Sequence, residues 1–500
     1  MKTKVSRVLI SVYDKSNVLN LAKTLEACGT EIISTGGTLK YLQDNGVDVR
    51  GVEDITGYPE ILGGRVKTLH PKIHGGILAK QGTEPELKDL DIKLFDLIVV
   101  NLYPFNEVIK QTNVSLDEII ENIDIGGPTL IRGAAKNWNR VTACVDPKDY
   151  NKLIEELTEN QGISEELRKY LAKKAFSHTA YYDSVIAEYL NGDYNLELPD
   201  INSLSKKDLK YGENPHQKAV FLEDPNRSFI QHQGDTLSYN NLVDIDASLE
   251  LVSEFNSKAC VAIKHTNPCG VGVSTDILTA FEKAYAGDPV SIFGGIVAFN
   301  DQVTEKLAQK ITSIFLDVVI SPSFTKEALE VLAKKPRLKV IETKVDKTKA
   351  KQIRTVSFGY LVQEKNIKIS PLDSWNLMTG PKVSDDQLSD LVVAEKVVKH
   401  VKSNAIVVVK DGQTLGIGAG QMNRITASKL ALEHAGEHAN GSVLASDAFF
   451  PFDDVVKKCE EYGVSCIIQP GGSKRDQDSI KAASDAGISM FFTGVRHFKH

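Results

Sequence analysis

A chain of 500 residues is too long for one ordinary hydrophobic core, so two to four domains are expected. With 42% hydrophobic and 25% charged residues it has the composition of a soluble globular protein, and a net charge of −7 argues against general attraction to nucleic acid or to an anionic membrane. No stretch reaches membrane-spanning length, and the N-terminal MKTKVSRVLISVYDKSN lacks the apolar run of a signal peptide. Six scattered cysteines without a CxxC pair point to a reducing, cytoplasmic setting, with neither a disulfide framework nor a zinc finger.

In chain order, RVLISV (7–12) reads as a buried strand. Asp14-Lys15-Ser16 offers an N-cap to a helix with Val18, Leu19, Ala22 and Leu25 on one face and Gly29 as its terminator. Glu31–Ser34 is a second strand, running into Thr35-Gly36-Gly37-Thr38 and a helix through Leu42. Strand, polar loop and helix, repeated, imply a parallel sheet, and a double glycine at a helix N-terminus suits an anion such as phosphate. GGRVKTLHPKIHGG (63–76) reads as neither a good helix nor a good strand. Its alternating cations, Arg65 and Lys67, lie between double glycines and fit an anionic ligand. FDLIVVNL (95–102) is a buried strand. Asp124 precedes Gly126-Gly127-Pro128, which opens a helix carrying Arg132 and Lys136. A strand over 140–145 and helices near 147–158 and 164–191 follow, and Asn191–Ser205 loses periodicity, as a domain boundary does.

Beyond it, YGENPHQ (211–217) is turn-rich, and a helix near 241–256 leads to ACVAIKHTNPCGVGV (259–273). There a short apolar strand delivers Lys264 and His265 to its end, and Asn267-Pro268-Cys269-Gly270 is expected to form the turn. Lys is a cation that burial deprotonates and His titrates near neutrality, so the pair suits proton transfer at the sheet edge where ligands bind. Helix 276–286, strand 292–299, helix 304–313, strand 316–320 and helix 325–334 complete one α/β unit. Lys334–Arg354 is basic, but Glu342 and Asp346 interrupt it and no aromatics interleave, so it reads as a solvated face or loop. A second unit starts near 384. It has helix 385–402, strand 405–409, a hairpin turn at Asp411-Gly412, GIGAGQ (416–421), helix 423–436, strand 442–445, helix 453–461, strand 466–469 and helix 477–486. The shared order of elements implies an internal duplication.

These motifs together resemble the bifunctional family that completes inosine monophosphate synthesis. GGRVKTLHPKIHGG, NLYPF, IDIGGPTLIRGAAKN and the TGGT loop resemble its cyclohydrolase domain; YGENPHQ, KHTNPCG, GIGAGQMNR, SDAFFPF and QPGGSKRD resemble its folate-dependent transformylase domain. The resemblance covers essentially the whole chain. It implies an α/β fold: a methylglyoxal-synthase-like parallel-sheet domain over 1–195 and a duplicated cytidine-deaminase-like domain over 196–500, with subdomains at about 206–370 and 384–500. It implies formyl transfer from 10-formyltetrahydrofolate, as co-substrate, to aminoimidazole carboxamide ribonucleotide (AICAR), then dehydrative ring closure.

Carried over by motif, the catalytic residues are Lys264, His265 and Asn404 for transfer, and Lys67, Tyr103, Asp124 and Lys136 for cyclisation. Nucleotide and substrate contacts fall on Ser11, Lys15, Ser34, Gly36, Gly37, Thr38, Arg65 and Thr68 in the first domain. In the second they fall on Lys210, Tyr211, Gly295, Arg424, Phe449, Asp454, Arg496 and His500. No catalytic metal is expected, and the resemblance implies a homodimer. Lys210 departs from the family, which commonly has Arg there; Lys lacks the bidentate fork, which weakens a phosphate contact. Asn423 stands where relatives commonly have Ser. Two other classes compete with this reading. A zinc deaminase needs a second Cys where Gly272 stands and a preceding H-x-E. A nucleotide-binding regulator with dead sites predicts loss of Lys264, His265, Lys67 or Lys136, all of which are present.

Overall fold

The computed structural model describes residues 2–80, 82–111, 113–160, 162–190, 204–224, 227, 229–344 and 351–500. The chain forms two compact units, Met1–Leu204 and Ser205–His500. Most of the expected boundary stretch, 191–203, lies outside the described residues.

The first unit is built on a five-stranded parallel sheet in the order β3, β2, β1, β4, β5, where β1 is Arg7–Val12, β2 Glu31–Ser34, β3 Val49–Gly51, β4 Leu97–Asn101 and β5 Thr142–Cys144. Alternate strand residues feed opposite cores, as the twofold side-chain period requires. Leu9, Ile33, Ile98 and Val100 pack with Leu130 and Ile131, while Val8, Ile10, Ile32 and Val99 pack with Leu21, Leu25 and Leu153. The helix Val18–Ala27 starts from Asn17 in the left-handed region rather than from a side-chain cap on Asp14–Ser16; Asp14 instead accepts from the Ser16 amide. GGRVKTLHPKIHGG departs from expectation, because its second half is the helix Pro71–Leu78. His70 Nδ1 accepts from the Lys72 amide, Pro71 occupies the first turn, and buried Ile73 and Ile77 supply the core face that the glycines mask in sequence.

The second unit carries a twelve-stranded sheet made of two six-stranded halves. In the first half β6 is Ile230–Gln233, β7 Lys258–Lys264, β8 Asn267–Ser274, β9 Ile296–Phe299, β10 Val318–Ser321 and β11 Lys339–Glu342. In the second, β12 is Asn376–Thr379, β13 Ile406–Lys410, β14 Gln413–Gly418, β15 Val443–Ser446, β16 Cys466–Gln469 and β17 Ser489–Phe492. The order is β6-β11-β10-β9-β7-β8-β14-β13-β15-β16-β17-β12. Each half is therefore a hairpin, three parallel strands and an antiparallel edge strand, and the halves meet where Gly272 pairs with Gln413. The duplication read from element order holds strand by strand.

Helices Tyr239–Val252 and Asp385–Val398 cover one face over a core common to both halves. The other face has one core per half, under helices that include Ile277–Gly287 and Arg424–Ala435. The expected Asn267–Gly270 turn is instead strand β8. Pro268 sits beside a bulge between Ala262 and Ile263, where a missing N–H does no harm. Gly270 and Gly272 let the helix Ile277–Gly287 approach: a Cβ on either would lie 2.0 or 2.1 Å from the Ala284 or Ala280 carbonyl oxygen. Gly416 and Gly418 do the same for Arg424–Ala435, at 1.9 Å each. Lys334–Arg354 is not simply a solvated loop either, since it contains β11, with Val340 and Ile341 buried.

Candidate functional site

In the first unit a cavity of about 610 Å³ opens where two helices begin, Gly36–Asp44 and Gly126–Lys136, so both positive helix ends face it. Of the residues singled out from sequence, Ser11, Lys15, Gly36, Gly37, Thr38, Arg65, Lys67, Thr68, Tyr103 and Asp124 line it. Two do not. Ser34 is buried and its hydroxyl donates to the Ile10 carbonyl at 2.6 Å, which makes it part of the sheet. Lys136 ends the helix that begins at the cavity, so ten residues of rise separate it from that mouth, roughly 15 Å.

Two cations of the cavity carry counter-ions that sequence reasoning missed. Lys67 Nζ lies 2.9 Å from Glu60, and the Arg65 guanidinium is paired with Glu121. Asp124 accepts from the Gly127 amide at 2.8 Å rather than from Lys67, and burial still pushes its carboxyl above the usual range. A Cβ at Gly127 would meet that carboxylate at 2.5 Å, so the second glycine of the motif makes room for it. Tyr103 packs edge-on to Tyr13, with centroids 5.6 Å apart, beside Lys15, whose Nζ donates to the Tyr13 carbonyl.

In the second unit Lys264, His265 and Asn404, singled out from the sequence, gather along one edge of the sheet. Lys264 closes β7, and the turn behind it is His265-Thr266, with φ of 52° and 65°. Two positive φ values in a two-residue loop make a type I′ hairpin turn, which favours Asn-Gly or Asp-Gly. Non-glycine residues held there cost on the order of 1–3 kcal/mol each. Lys264 Nζ donates to the Phe293 carbonyl at 2.7 Å, and Phe293 stacks on Phe315. Gly295 lies beside the end of β7: a Cβ there would be 3.0 Å from the Ile263 carbonyl oxygen. Because β9 runs antiparallel to β7, this edge is at the amino ends of the parallel strands of the first half and the carboxyl ends of those in the second. The rule that ligands sit at strand carboxyl ends therefore describes only one half of this edge.

Asn404 reaches the same edge just before β13. Its Nδ2 donates to the Gln421 carbonyl at 2.8 Å, and its Oδ1 accepts from Arg424 Nη2 at 2.6 Å. Arg424 is buried, and it also bonds Ser446 and the Asp447 carboxylate, so this structure gives it the task of orienting Asn404. Asn267 Oδ1 accepts from the Lys402 amide at 3.0 Å, which joins the His265 turn to the Asn404 segment. The C-terminal segment is tied in as well: the Ser403 amide donates to the Lys499 carbonyl, and the His497 amide to that of Asp447.

Phe449 follows β15 at this edge and is exposed, and Asp454 opens the next helix. Arg496 lies over Phe498, which packs against His500. Lys210 is exposed over the Tyr211 ring, and their loop is tied to helix Tyr239–Val252 by a bond from Asn240 to the Glu213 carbonyl. Asp317, paired with Lys339 and Asn241 at 2.6 Å each, and Asp244, beneath the His265 turn, went unnoticed in sequence. Overlaying the two halves would have found Asp244, since Asp390 occupies the same place in the second half. Among the described residues no group of three His, Cys, Asp or Glu side chains is arranged to hold a metal, and no helix is long and apolar enough to cross a membrane.

Two family models match: AICARFT/IMPCHase bienzyme over residues 134–434, and the MGS-like domain over residues 17–129. The chain is 57% identical over 506 residues to the bifunctional purine biosynthesis protein PurH of Natranaerobius thermophilus, with 99% of each chain covered. It is 50% and 51% identical to the proteins of the same name from Bacillus cytotoxicus and a Thermoanaerobacter species, again over 99% of each chain.

Proposed function

The chain belongs to the AICARFT/IMPCHase bienzyme family of purine biosynthesis, and from that premise we propose how its two sites divide the two reactions. It is a bifunctional enzyme: a formyltransferase acting on AICAR and an IMP cyclohydrolase. We assign transfer, with 10-formyltetrahydrofolate as donor, to the edge of the second unit and cyclisation to the cavity of the first. What supports the assignment is that Lys264, the strained His265 turn and Asn404 share one sheet edge, linked through Asn267.

The 5-amine of AICAR is a weak nucleophile, since its lone pair is delocalised into the ring and carboxamide. His265 takes its proton as the new C–N bond forms to the formyl carbon. Lys264 and the remaining Nδ2 hydrogen of Asn404 meet the oxyanion. When the intermediate collapses, the bond to the folate nitrogen breaks and that nitrogen leaves with a proton. In the cavity, the carboxamide nitrogen of the formylated product attacks the formyl carbon, the ring closes and water departs. Cyclisation is intramolecular, so orientation does much of the work. Lys67 supports the developing oxyanion, and Asp124, raised by burial, exchanges the proton. The helix N-termini receive the nucleotide phosphate, which displaces Glu60 and Glu121 from Lys67 and Arg65.

Point variants test the division. His265→Ala is expected to lose formyl transfer by ~10²–10⁴-fold yet cyclise supplied formylated nucleotide at nearly the wild-type rate, and Lys67→Ala the reverse. Loss of both activities in folded His265→Ala protein would sink it. Lys136→Ala resolves that residue: retained cyclisation removes it from the set, and a loss as deep as that of Lys67→Ala means a second copy supplies it. The reading extends to a cytoplasmic homodimer, and a fully active monomer in sedimentation at assay concentration would overturn the dimer.

A further inference from the structure

We propose that Asp244 is the positioning residue of formyl transfer, holding His265 in its left-handed turn and aiming it at the Asn404 segment; this rests on the role given to His265 above. Asp244 Oδ1 accepts from the Thr266 amide at 2.7 Å, and the His265 backbone hydrogen-bonds the same carboxylate. The second half of the sheet repeats the device. Asp390 accepts from the Asp411 amide at 2.8 Å and the Gly412 amide at 2.7 Å, and these two residues form the equivalent turn, with φ of 55° and 70°. Each aspartate is the sixth residue of its helix, Tyr239–Val252 or Asp385–Val398, on the same face of the sheet.

What the anchors hold differs. Asp-Gly adopts two left-handed residues readily, whereas His-Thr does not, and a β-branched residue at positive φ is a genuine outlier. Without an external acceptor for its two amides, the His-Thr turn has little to keep it from relaxing to negative φ, which would swing the imidazole off the edge. Asp244 supplies that acceptor from the first half, and Asn267, through the Lys402 amide, tethers the turn to the second. Asp390 holds a turn at the opposite edge of the sheet, beside the carbonyl of Val273, away from Lys264 and Asn404.

The test is steady-state formyl transfer in a three-variant set on the full chain. Asp244→Ala is expected to lower kcat by about 10²-fold, the cost of misplacing a reacting group by about 1 Å, with KM for the nucleotide changed only a few-fold. Adding Thr266→Gly, which makes positive φ free at that position, is expected to restore most of kcat in the double variant. Asp390→Ala is the control: it lowers the thermal midpoint and leaves transfer kcat at the wild-type value. Should Asp244→Ala fail to fold, Asp244→Leu, which fills the space without an acceptor, gives the same comparison with and without Thr266→Gly. Wild-type kcat in Asp244→Ala, no gain on adding Thr266→Gly, or an equal kcat loss in Asp390→Ala would each overturn the proposal. Wild-type transfer by His265→Ala would instead overturn the parent reading.

Discussion

The turns at His265-Thr266 and Asp411-Gly412 are the same object built twice. Each is a two-residue loop with both residues left-handed, each closes the hairpin by which its half joins the other at the centre of the sheet, and each is held by an aspartate from a helix on the same face. They differ in what the turn residues are and in which edge they occupy. Asp-Gly satisfies the local backbone preference and sits away from the site; His-Thr violates it and sits beside Lys264. A duplicated fold thus supplies its own internal reference: where one copy keeps the residue pair the geometry favours and the other does not, the strained copy is the one to test for a role in the chemistry.

The comparison is broken or sharpened most strongly by exchange. Replacing His265-Thr266 with Asp-Gly is expected to leave a folded protein of equal or greater stability whose formyl transfer has fallen ~10²–10⁴-fold, with cyclisation intact. Transfer near the wild-type rate in that variant would mean the strained turn is not the site. The reciprocal change at the other turn should act on stability alone. Gly412→Thr puts a β-branched residue at φ 70°, with its Cβ 2.8 Å from the Val273 carbonyl oxygen, and is expected to cost about 1–3 kcal/mol in urea unfolding. Transfer kcat in the folded fraction should not move.

The smallest effect is a slope. Burial raises the carboxyls of both Asp244 and Asp390 above their ordinary value, against the pull of the turn amides. A raised carboxyl means the native state holds its proton more tightly than the unfolded chain does. The penalty for ionising it is complete above the folded pKa and gone below the unfolded value near 3.9. The stability difference between wild type and Asp390→Asn is therefore expected to shift in favour of wild type as the pH falls from 7 toward 4, and Asp244→Asn should show the same sign. A flat difference, or one of opposite sign, at either position would mean that burial does not raise that carboxyl in the native state.

Much of this molecule is legible locally. The strands 7–12 and 466–469 and the helix 36–44 follow from short apolar runs and glycine punctuation, and Asp411-Gly412 is recognisable as a hairpin turn from two residues. Lys264 and His265 at a strand end are readable for the same reason: strand, then polar pair, is a near-neighbour pattern. The motifs, taken together, place the chain in its family without any structure. Contacts between distant residues escape such reading. Pro268 and the glycines of NPCGVG signal a turn, yet the bulge in β7 and the close approach of helix Ile277–Gly287 make them a strand. The helix Pro71–Leu78 hides behind its glycines until Ile73 and Ile77 meet the core, and β11, β12 and β17 are strands only because a neighbour in the sheet completes their hydrogen bonds. Ser34 and Lys136 share motifs with cavity residues, yet Ser34 bonds within the sheet and Lys136 sits at the far end of its helix, since motif membership fixes spacing along the chain and not placement in space. Local periodicity and residue chemistry determined the elements and the candidate reactive groups; which of those groups share an edge, and which aspartate holds His265 there, was decided by sheet register and helix packing, which join residues too far apart in sequence for any local pattern to record.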